Sequence, residues 1–338
     1  MARLTSFSRL LITLAIIAGV YFAVKFFLPR FSNPSSETTT TAAADERPAP
    51  SDDRTAAPPS TSSNWGNSNA NTFDYTPPEP VNGKLKGVVE LGATGFNSFI
   101  INVDAQKNWK LEKAEYGASL VYESLANDDD IKKGLKNYIA DMTAYGVGAK
   151  HIHFVISSGA KKVPVTAKIS AILKGMGYYV NEVTPEQEAK LALKSCLPQG
   201  FEGRAFVVDI GSGNTKVSWI SGAAATGIEL PGAKYYQNGM SKETVYQEVS
   251  MKAKQVPSKL RRTCFIIGGV PFELAKQSRN GKERYTVLKA PSGYKGEGEK
   301  QKAGLNIYQG IADATGCQQF IFDWDANFTI GFLLGLPF

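Results

Sequence analysis

Two glycine-rich turns constrain the fold of this chain more than any other feature of its sequence. The first turn, residues 92–98, closely follows Glu90, and the second, residues 211–215, closely follows Asp209. In both places an apolar strand leads to an acidic residue, then to glycine and small hydroxyl residues, then to a second strand. Successive backbone N–H groups in such a turn can hold a phosphate, and an acid at the strand end can bind a divalent cation. Two turns of this kind that face each other would form a phosphate clamp.

The order of predicted elements is the same around both turns. Three strands between residues 85 and 116 head the first half, and three more between residues 205 and 230 head the second. Helices and strands then alternate in each half, and Thr184 with Pro185 marks a helix start. This order indicates an internal duplication of topology rather than a short sequence repeat, and it predicts an α/β fold.

The N-terminal region predicts a membrane anchor. After a tail of residues 1–9, residues 10–28 form a mostly apolar run that is interrupted by Lys25. At about 1.5 Å per residue this transmembrane helix would cross a bilayer. A cleavable signal peptide is the alternative, and the lack of a small-residue cleavage site close to the run favours an uncleaved anchor. Residues 29–81 are rich in Ser, Thr, Pro and Asn, which predicts a disordered linker.

The basic residues that flank the apolar run lean slightly toward a cytoplasmic N-terminus. We therefore expect a single-pass membrane protein whose domain is extracytoplasmic, in the periplasm, with a cytoplasmic-facing domain as the open alternative. Protein partners at the membrane and a homodimer are further expectations, and no nucleic-acid partner is expected.

Composition bears on the ligand and on the cysteines. The formal net charge of +7 favours an anionic ligand such as polyphosphate, a nucleotide or an anionic lipid, although ordinary surface charge explains it equally well. The three cysteines, Cys196, Cys264 and Cys317, lack metal-ligand spacing, and their odd number argues against a disulfide framework. A single bridge between Cys264 and Cys317 stays open.

Four motifs occur in a recognisable order: the first turn, an acidic helix start at residues 184–191, the second turn, and the glycine pair at 268–269. This order resembles the exopolyphosphatase/guanosine pentaphosphate phosphohydrolase (Ppx/GppA-like) family of the actin/heat-shock-chaperone/sugar-kinase superfamily. The first turn departs from the family pattern, since it is longer and Glu90 replaces an Asp. The resemblance implies two ribonuclease-H-like lobes with an interlobe cleft, here lobe I over residues 82–200 and lobe II, with a C-terminal segment, over 201–338.

The resemblance also implies a site. Glu90 and Asp209 would hold Mg²⁺, and Gly268 with Gly269 would lie beside a nucleotide such as ATP. The two turns would supply the residues that bind phosphate: Gly92, Ala93, Thr94, Gly95, Asn97, Ser98, Gly211, Ser212, Gly213, Asn214 and Thr215. The alternative is that the glycines only form hairpin turns and that Asp209 only caps its loop.

The residue at the place of the family's catalytic base bears on whether the domain hydrolyses its ligand or only binds it. The Glu that is read as the catalytic base of the family falls on Lys162, and an ammonium cannot accept a proton from water. Glu188, or less readily Glu186, would have to replace it. We therefore expect a domain that binds polyphosphate or a nucleotide with lost or altered hydrolysis and a binding or scaffold role. The alternative is an active Mg²⁺-dependent phosphoanhydride hydrolase, and an actin-like polymerising protein is a third interpretation without specific support.

Overall fold

The computed structural model describes residues 72–92, 95–117 and 128–338. The first half of this region forms a five-stranded sheet in the order β3–β2–β1–β4–β5. β1 pairs antiparallel with β2 and parallel with β4. The elements are β1 (Lys84–Gly92), β2 (Gly95–Val103), β3 (Trp109–Tyr116), α1 (Asp128–Ala144), β4 (Ile152–Ile156), α2 (Pro164–Gly175) and β5 (Val180–Glu182).

The second half repeats this plan in a six-stranded sheet, in the order β10–β11–β9–β6–β7–β8. β6 pairs antiparallel with β7 and parallel with β9, as β1 does with β2 and β4. The elements are α3 (Pro185–Cys196), β6 (Ala205–Ile210), β7 (Asn214–Ser221), β8 (Ala224–Pro231), α4 (Lys242–Ala253), β9 (Thr263–Ile267), α5 (Gly269–Lys276), β10 (Tyr285–Val287), α6 (Gly298–Thr315), β11 (Gln319–Asp323) and α7 (Phe328–Gly335). The predicted α/β fold and its duplicated order are both present.

Local sequence explains the elements that position the two turns. All residues of β6 are buried, as expected for an apolar strand that is covered on both faces. α3 begins with a capping box, in which the backbone N–H of Gln187 donates to Thr184 Oγ1 at 3.2 Å and that of Thr184 donates to Gln187 Oε1 at 2.8 Å. Pro185 occupies the first turn, so the helix start predicted at Thr184 is confirmed.

Two helices lie between the sheets and join their cores. α3 packs on β6, β7 and β8, although it follows the first sheet in the chain, and α7 packs on β1 and β2. The two helices cross closely, since a Cβ at Gly331 would overlap the carbonyl oxygen of Leu191. One apolar cluster therefore contains residues from both sheets, among them Val88 and Phe265. The predicted boundary at residue 200 separates the two halves along the sequence, but this apolar cluster contains residues from both sides of it.

The cysteines and the end of the predicted linker are also placed. Cys196, Cys264 and Cys317 are buried free thiols, so the bridge that the sequence left open is not formed. Phe73 packs edge-on against Phe265, with ring centroids 5.5 Å apart, and Tyr75 packs against Tyr285 at 5.9 Å. The linker expected over residues 29–81 therefore ends earlier, because these aromatic rings join the core of the domain.

No helix in the described part of the chain is long and apolar enough to cross a membrane. The tail, the predicted span at residues 10–28 and most of the predicted linker lie outside the described residues, as do Ala93 and Thr94 in the first turn.

Candidate functional site

The two glycine-rich turns border one cavity of about 490 Å³. This volume is in the range of small-molecule sites. The structure brings eleven of the predicted site residues to its lining: Glu90, Gly92, Gly95, Asn97, Asp209, Gly211, Ser212, Gly213, Asn214, Gly268 and Gly269. The duplicated fold accounts for this, because each turn connects the first two strands of its own sheet.

The other predicted residues lie elsewhere. Ser98 lies on the opposite face of β2 from Asn97 and borders a separate, much smaller cavity. Thr215 is buried in β7, and Glu188 is buried on α3 beneath the cavity wall. The backbone of Lys162 lies in a short 3₁₀ turn, Ala160–Lys162, which precedes α2. Ser98, Thr215 and Glu188 are therefore not part of the cavity lining.

Close backbone packing explains glycine at position 268, and the second turn packs on a loop of the first sheet. Gly268 has a φ of +109°, and a Cβ there would overlap the carbonyl oxygen of Ile210. A Cβ on Gly213 would lie 3.5 Å from Gly159 Cα, so the second turn meets the loop that follows β4. Asn214 holds this junction, because its side-chain amide donates to Ser158 Oγ at 3.1 Å. The base of the cavity is thus formed by loops from both sheets.

The acid of the first turn is held by neutral amides. Glu90 Oε2 accepts hydrogen bonds from Asn97 Nδ2 at 3.0 Å and from Asn327 Nδ2 at 3.2 Å. Burial raises the pKa of Glu90 to about 7; the amides oppose this shift, and the charges of Glu188 and Asp209 add to it. Glu90 therefore changes charge near neutral pH.

The acid of the second turn lies beside a lysine that the sequence analysis missed. Lys216 Nζ is 3.8 Å from Asp209 Oδ2 and 2.6 Å from Glu188 Oε2. Burial alone would lower the pKa of Lys216, but Asp209 and Glu188 outweigh it and raise the pKa, so the ammonium stays charged. Burial raises the pKa of Asp209, and Lys216 opposes that shift. A lysine within a strand of buried residues was the available sequence signal, because a buried charge requires a partner.

Glu188, which we expected as a substitute base, is fully engaged. Its side chain has no exposed surface. Oε1 accepts a hydrogen bond from the backbone N–H of Ser158 at 2.6 Å, and Oε2 accepts one from Ser158 Oγ at 2.8 Å besides its contact with Lys216. Both carboxylate oxygens are therefore directed at protein groups.

The donor set does not fit the predicted Mg²⁺. Among the described residues, no group of three or more His, Cys, Asp or Glu side chains is arranged to hold a metal ion, but Mg²⁺ beside a phosphate usually takes only one or two carboxylates, so the neighbouring ammonium decides the question. Asp209 has an ammonium 3.8 Å away. Mg²⁺ requires oxygen ligands at about 2.0–2.1 Å and near-octahedral geometry. The Mg²⁺ site expected at Glu90 and Asp209 is therefore not supported by this arrangement.

The other end of the cavity is aromatic, which the sequence analysis did not anticipate. The rings of Tyr116, Phe272, Phe322 and Trp324 line it. Tyr116 on β3 reaches Phe272 on α5 across the cleft, with ring centroids 5.8 Å apart, and Trp324 packs edge-on against Phe272 at 5.4 Å. This wall is assembled from three separate parts of the chain, so no local motif marks it.

A second lysine lies where the glycine pair begins α5. A Cβ on Gly269 would be 3.7 Å from Lys300 Nζ. Burial lowers the pKa of Lys300, and the nearby charge of Lys234 lowers it further. Lys300 forms no ion pair with any described residue, so its charge is available to an anionic ligand at the N-terminus of α5.

Comparison with known proteins gives the class of fold. No protein-family model matches the chain, and no curated protein matches it. Several solved structures match over 75% of the chain. One is a Ppx/GppA family member from Aquifex aeolicus, which is 19% identical, with a TM-score of 0.58 and 97% of that chain covered. An exopolyphosphatase from Cytophaga hutchinsonii is 12% identical, with a TM-score of 0.58 and 99% coverage. A type II variant of the Aquifex aeolicus Ppx/GppA phosphatase is 16% identical, with a TM-score of 0.55 and 99% coverage.

The domain is therefore a two-sheet α/β structure. Within that class it has the fold of the Ppx/GppA exopolyphosphatases, which confirms the fold expected from the resemblance of the motifs.

Proposed function

We propose that the domain binds a small phosphate compound between its two glycine-rich turns and has lost or altered the hydrolysis of that compound. The observation that carries this proposal is the state of Glu188. This carboxylate is buried, and both of its oxygens are bound by Ser158 and Lys216. A general base must reach the water that it activates, so Glu188 cannot serve in this arrangement.

Binding is supported by the polar half of the cavity. The backbone of the second turn, the N-terminus of α5 and the unpaired Lys300 all border the same space. Backbone N–H groups at a helix start and a nearby ammonium are the features that hold phosphate groups in proteins.

Between the two ligand classes that the sequence left open, we favour a nucleotide over polyphosphate. Lys216 and Lys300 are the cationic side chains of the described lining, and Lys216 already faces two acids. Glu90, Asp209 and Glu273 add negative charge, which disfavours a long polyanion. The aromatic wall offers a planar surface of the kind on which a base can stack.

Titration of the full chain, purified in detergent, with ATP, guanosine pentaphosphate and long-chain polyphosphate tests this proposal, with phosphate release followed in parallel. We expect nucleotide binding without release. Lys300→Ala should weaken binding about tenfold, since a hydrogen bond to a charged group contributes about 1.5–3 kcal/mol. Lys302→Ala is the matched control, because Lys302 is exposed and pairs with Glu299. Equal effects of the two variants, or no binding of any compound, would contradict the proposal.

One observation favours the alternative of an active phosphoanhydride hydrolase. Glu90 lines the cavity, and its pKa of about 7 suits a group that exchanges protons near neutral pH. Phosphate release that is lost in Glu90→Gln, while nucleotide binding is retained, would establish this alternative. Release that is unchanged in this variant would assign it to another group.

We also propose that residues 10–28 anchor the domain in a membrane and place it outside the cytoplasm. The length and apolar character of this segment support the anchor. Retention in the membrane fraction after alkaline carbonate extraction tests the anchor. Digestion of intact and permeabilised cells with protease tests the side on which the domain lies. Extraction by carbonate, or protection from protease until the inner membrane is opened, would contradict the respective part.

A further inference from the structure

We propose that Lys216 is a built-in cation that takes the place of a divalent metal, so that the cleft binds its phosphate ligand without Mg²⁺. This inference rests on the proposed function for the ligand, but its metal-binding test requires no ligand. It starts from the disagreement between the expected Mg²⁺ site and the donor set that the fold brings together.

The ammonium of Lys216 contacts both the acids and the second turn. Lys216 Nζ lies 2.6 Å from Glu188 Oε2 and 3.8 Å from Asp209 Oδ2. A Cβ on Gly211 would be 3.6 Å from the same nitrogen, so the charge lies against the backbone of the second turn. The positive charge is thus placed between the acids and the turn, where a cation that bridges protein and phosphate would be required.

The ammonium of Lys216 can also reach a ligand in the cavity. The side chain of Lys216 is only 7% exposed, and the residue still lines the cavity. An ammonium has three N–H donors, and Glu188 with Asp209 accounts for at most two of them. One donor remains for a phosphate oxygen in the cleft.

The ammonium of Lys216 excludes a metal ion from the same position. A dication at Asp209 would lie next to the ammonium and be repelled by it. Movement of Lys216 would leave Glu188 buried without its counter-charge, and Glu188 has no exposed surface from which water could compensate. The two cations therefore exclude each other.

Removal of the ammonium should convert the cleft into a metal site. In Lys216→Ala, Glu188 and Asp209 lose their cation while Glu90 stays nearby, and buried carboxylates without a cation favour a divalent ion. We expect the wild-type chain to bind no Mn²⁺ in the cleft, as measured by electron paramagnetic resonance of added Mn²⁺. We expect Lys216→Ala to gain a site at least tenfold tighter than any in the wild type, and Lys216→Ala/Asp209→Asn to lose it.

Two results of the metal-binding experiment would overturn the proposal. One is Mn²⁺ binding by the wild-type chain that disappears in Asp209→Asn, and the other is a folded Lys216→Ala chain that gains no Mn²⁺ site. If Lys216→Ala does not fold, the wild-type and Asp209→Asn measurements decide alone. Lys252→Ala is the control for loss of a lysine, because Lys252 pairs with Glu248 outside the cavity.

The effect of Mg²⁺ on nucleotide binding is measured in a separate experiment. Nucleotide affinity of the wild-type chain should change less than twofold between buffer with Mg²⁺ and buffer with EDTA. A loss of tenfold or more in EDTA would overturn the metal-independent cleft. Absence of nucleotide binding in both buffers would remove the proposed function, while the Mn²⁺ result would still decide whether Lys216 excludes a metal.

Discussion

The two glycine-rich turns occupy equivalent places in the duplicated fold, yet their acids have opposite surroundings. Glu90 is held by the amides of Asn97 and Asn327 and has a pKa of about 7. Asp209 lies beside the charged Lys216. The first turn therefore carries a group that titrates, and the second carries an ion-paired cluster.

This difference shows that topology fixes where the acids lie and that their neighbours fix their charge. Each acid comes near the end of an interior strand of its own sheet, β1 or β6, because the two sheets share one plan. The neighbours come from elsewhere in the fold: Asn327 precedes α7, and Glu188 lies on α3. Both helices lie between the sheets, so the divergence of the two turns depends on the helices that join them.

The largest expected effect is the loss of stability in Lys216→Ala. Removal of one partner from a buried ion pair leaves an uncompensated charge and costs about 3–5 kcal/mol. Urea unfolding without divalent cations measures this loss as a fall in the free energy of unfolding. Lys252→Ala, in which a half-buried lysine loses its pairing with Glu248, should cost less than about 1 kcal/mol. Equal losses in the two variants would show that the second turn does not depend on its cation.

The next effect concerns the first turn and pH. The pKa of Glu90 is about 7 in the folded chain, against an ordinary value of 4.5. The folded state therefore binds the proton more tightly, so stability falls as pH rises from about 4.5 and levels off above about 7. The shift corresponds to roughly 3 kcal/mol. Glu90→Gln should remove this part of the pH dependence, as measured by urea unfolding between pH 5 and pH 8.

The exposed Glu243 gives the matched control for that measurement, because Glu243→Gln should keep the wild-type slope. An unchanged slope in Glu90→Gln would assign the pH dependence to other groups, of which Asp209 also has a raised pKa. The contrast between a titrating first turn and an ion-paired second turn would then be wrong.

The features of this molecule that depend on residues close together in the sequence could be predicted from it. The strands around both turns and the cap at Thr184 depend on neighbouring residues, and all are present, although β2 begins at Gly95, inside the turn that was predicted over residues 92–98. The duplicated order of elements predicted that the two turns face each other, because equivalent turns in two packed sheets meet at one cleft.

The contacts that the sequence did not predict join distant segments of the chain. Lys216 and Glu188 are brought together only because α3 packs against the second sheet. The aromatic wall joins Tyr116 with Phe272 and Trp324 from three segments. The alternation of β2 also places Ser98 away from the cavity, which a list of hydroxyl residues in the turn cannot show.

The smallest expected effect is a change in the pKa of Glu90 when its amide partner on β2 is removed. It tests both the alternation of side chains along β2 and the source of this pKa. Asn97 and Ser98 are adjacent on β2, and only Asn97 donates to Glu90. Loss of a hydrogen bond to a charged group removes about 1.5 kcal/mol, which is about one pKa unit. Asn97→Ala should therefore raise the pKa of Glu90 by about one unit, while Ser98→Ala leaves it unchanged.

Carboxyl ¹³C NMR titration, with the Glu90 signal assigned through Glu90→Gln, measures both variants. A pKa that stays fixed in Asn97→Ala would mean that burial alone sets the charge of the first turn. The contrast between the turns would then depend on Lys216 alone. A rise in Asn97→Ala without one in Ser98→Ala would show instead that amide contacts tune the first acid, as the ammonium holds the second.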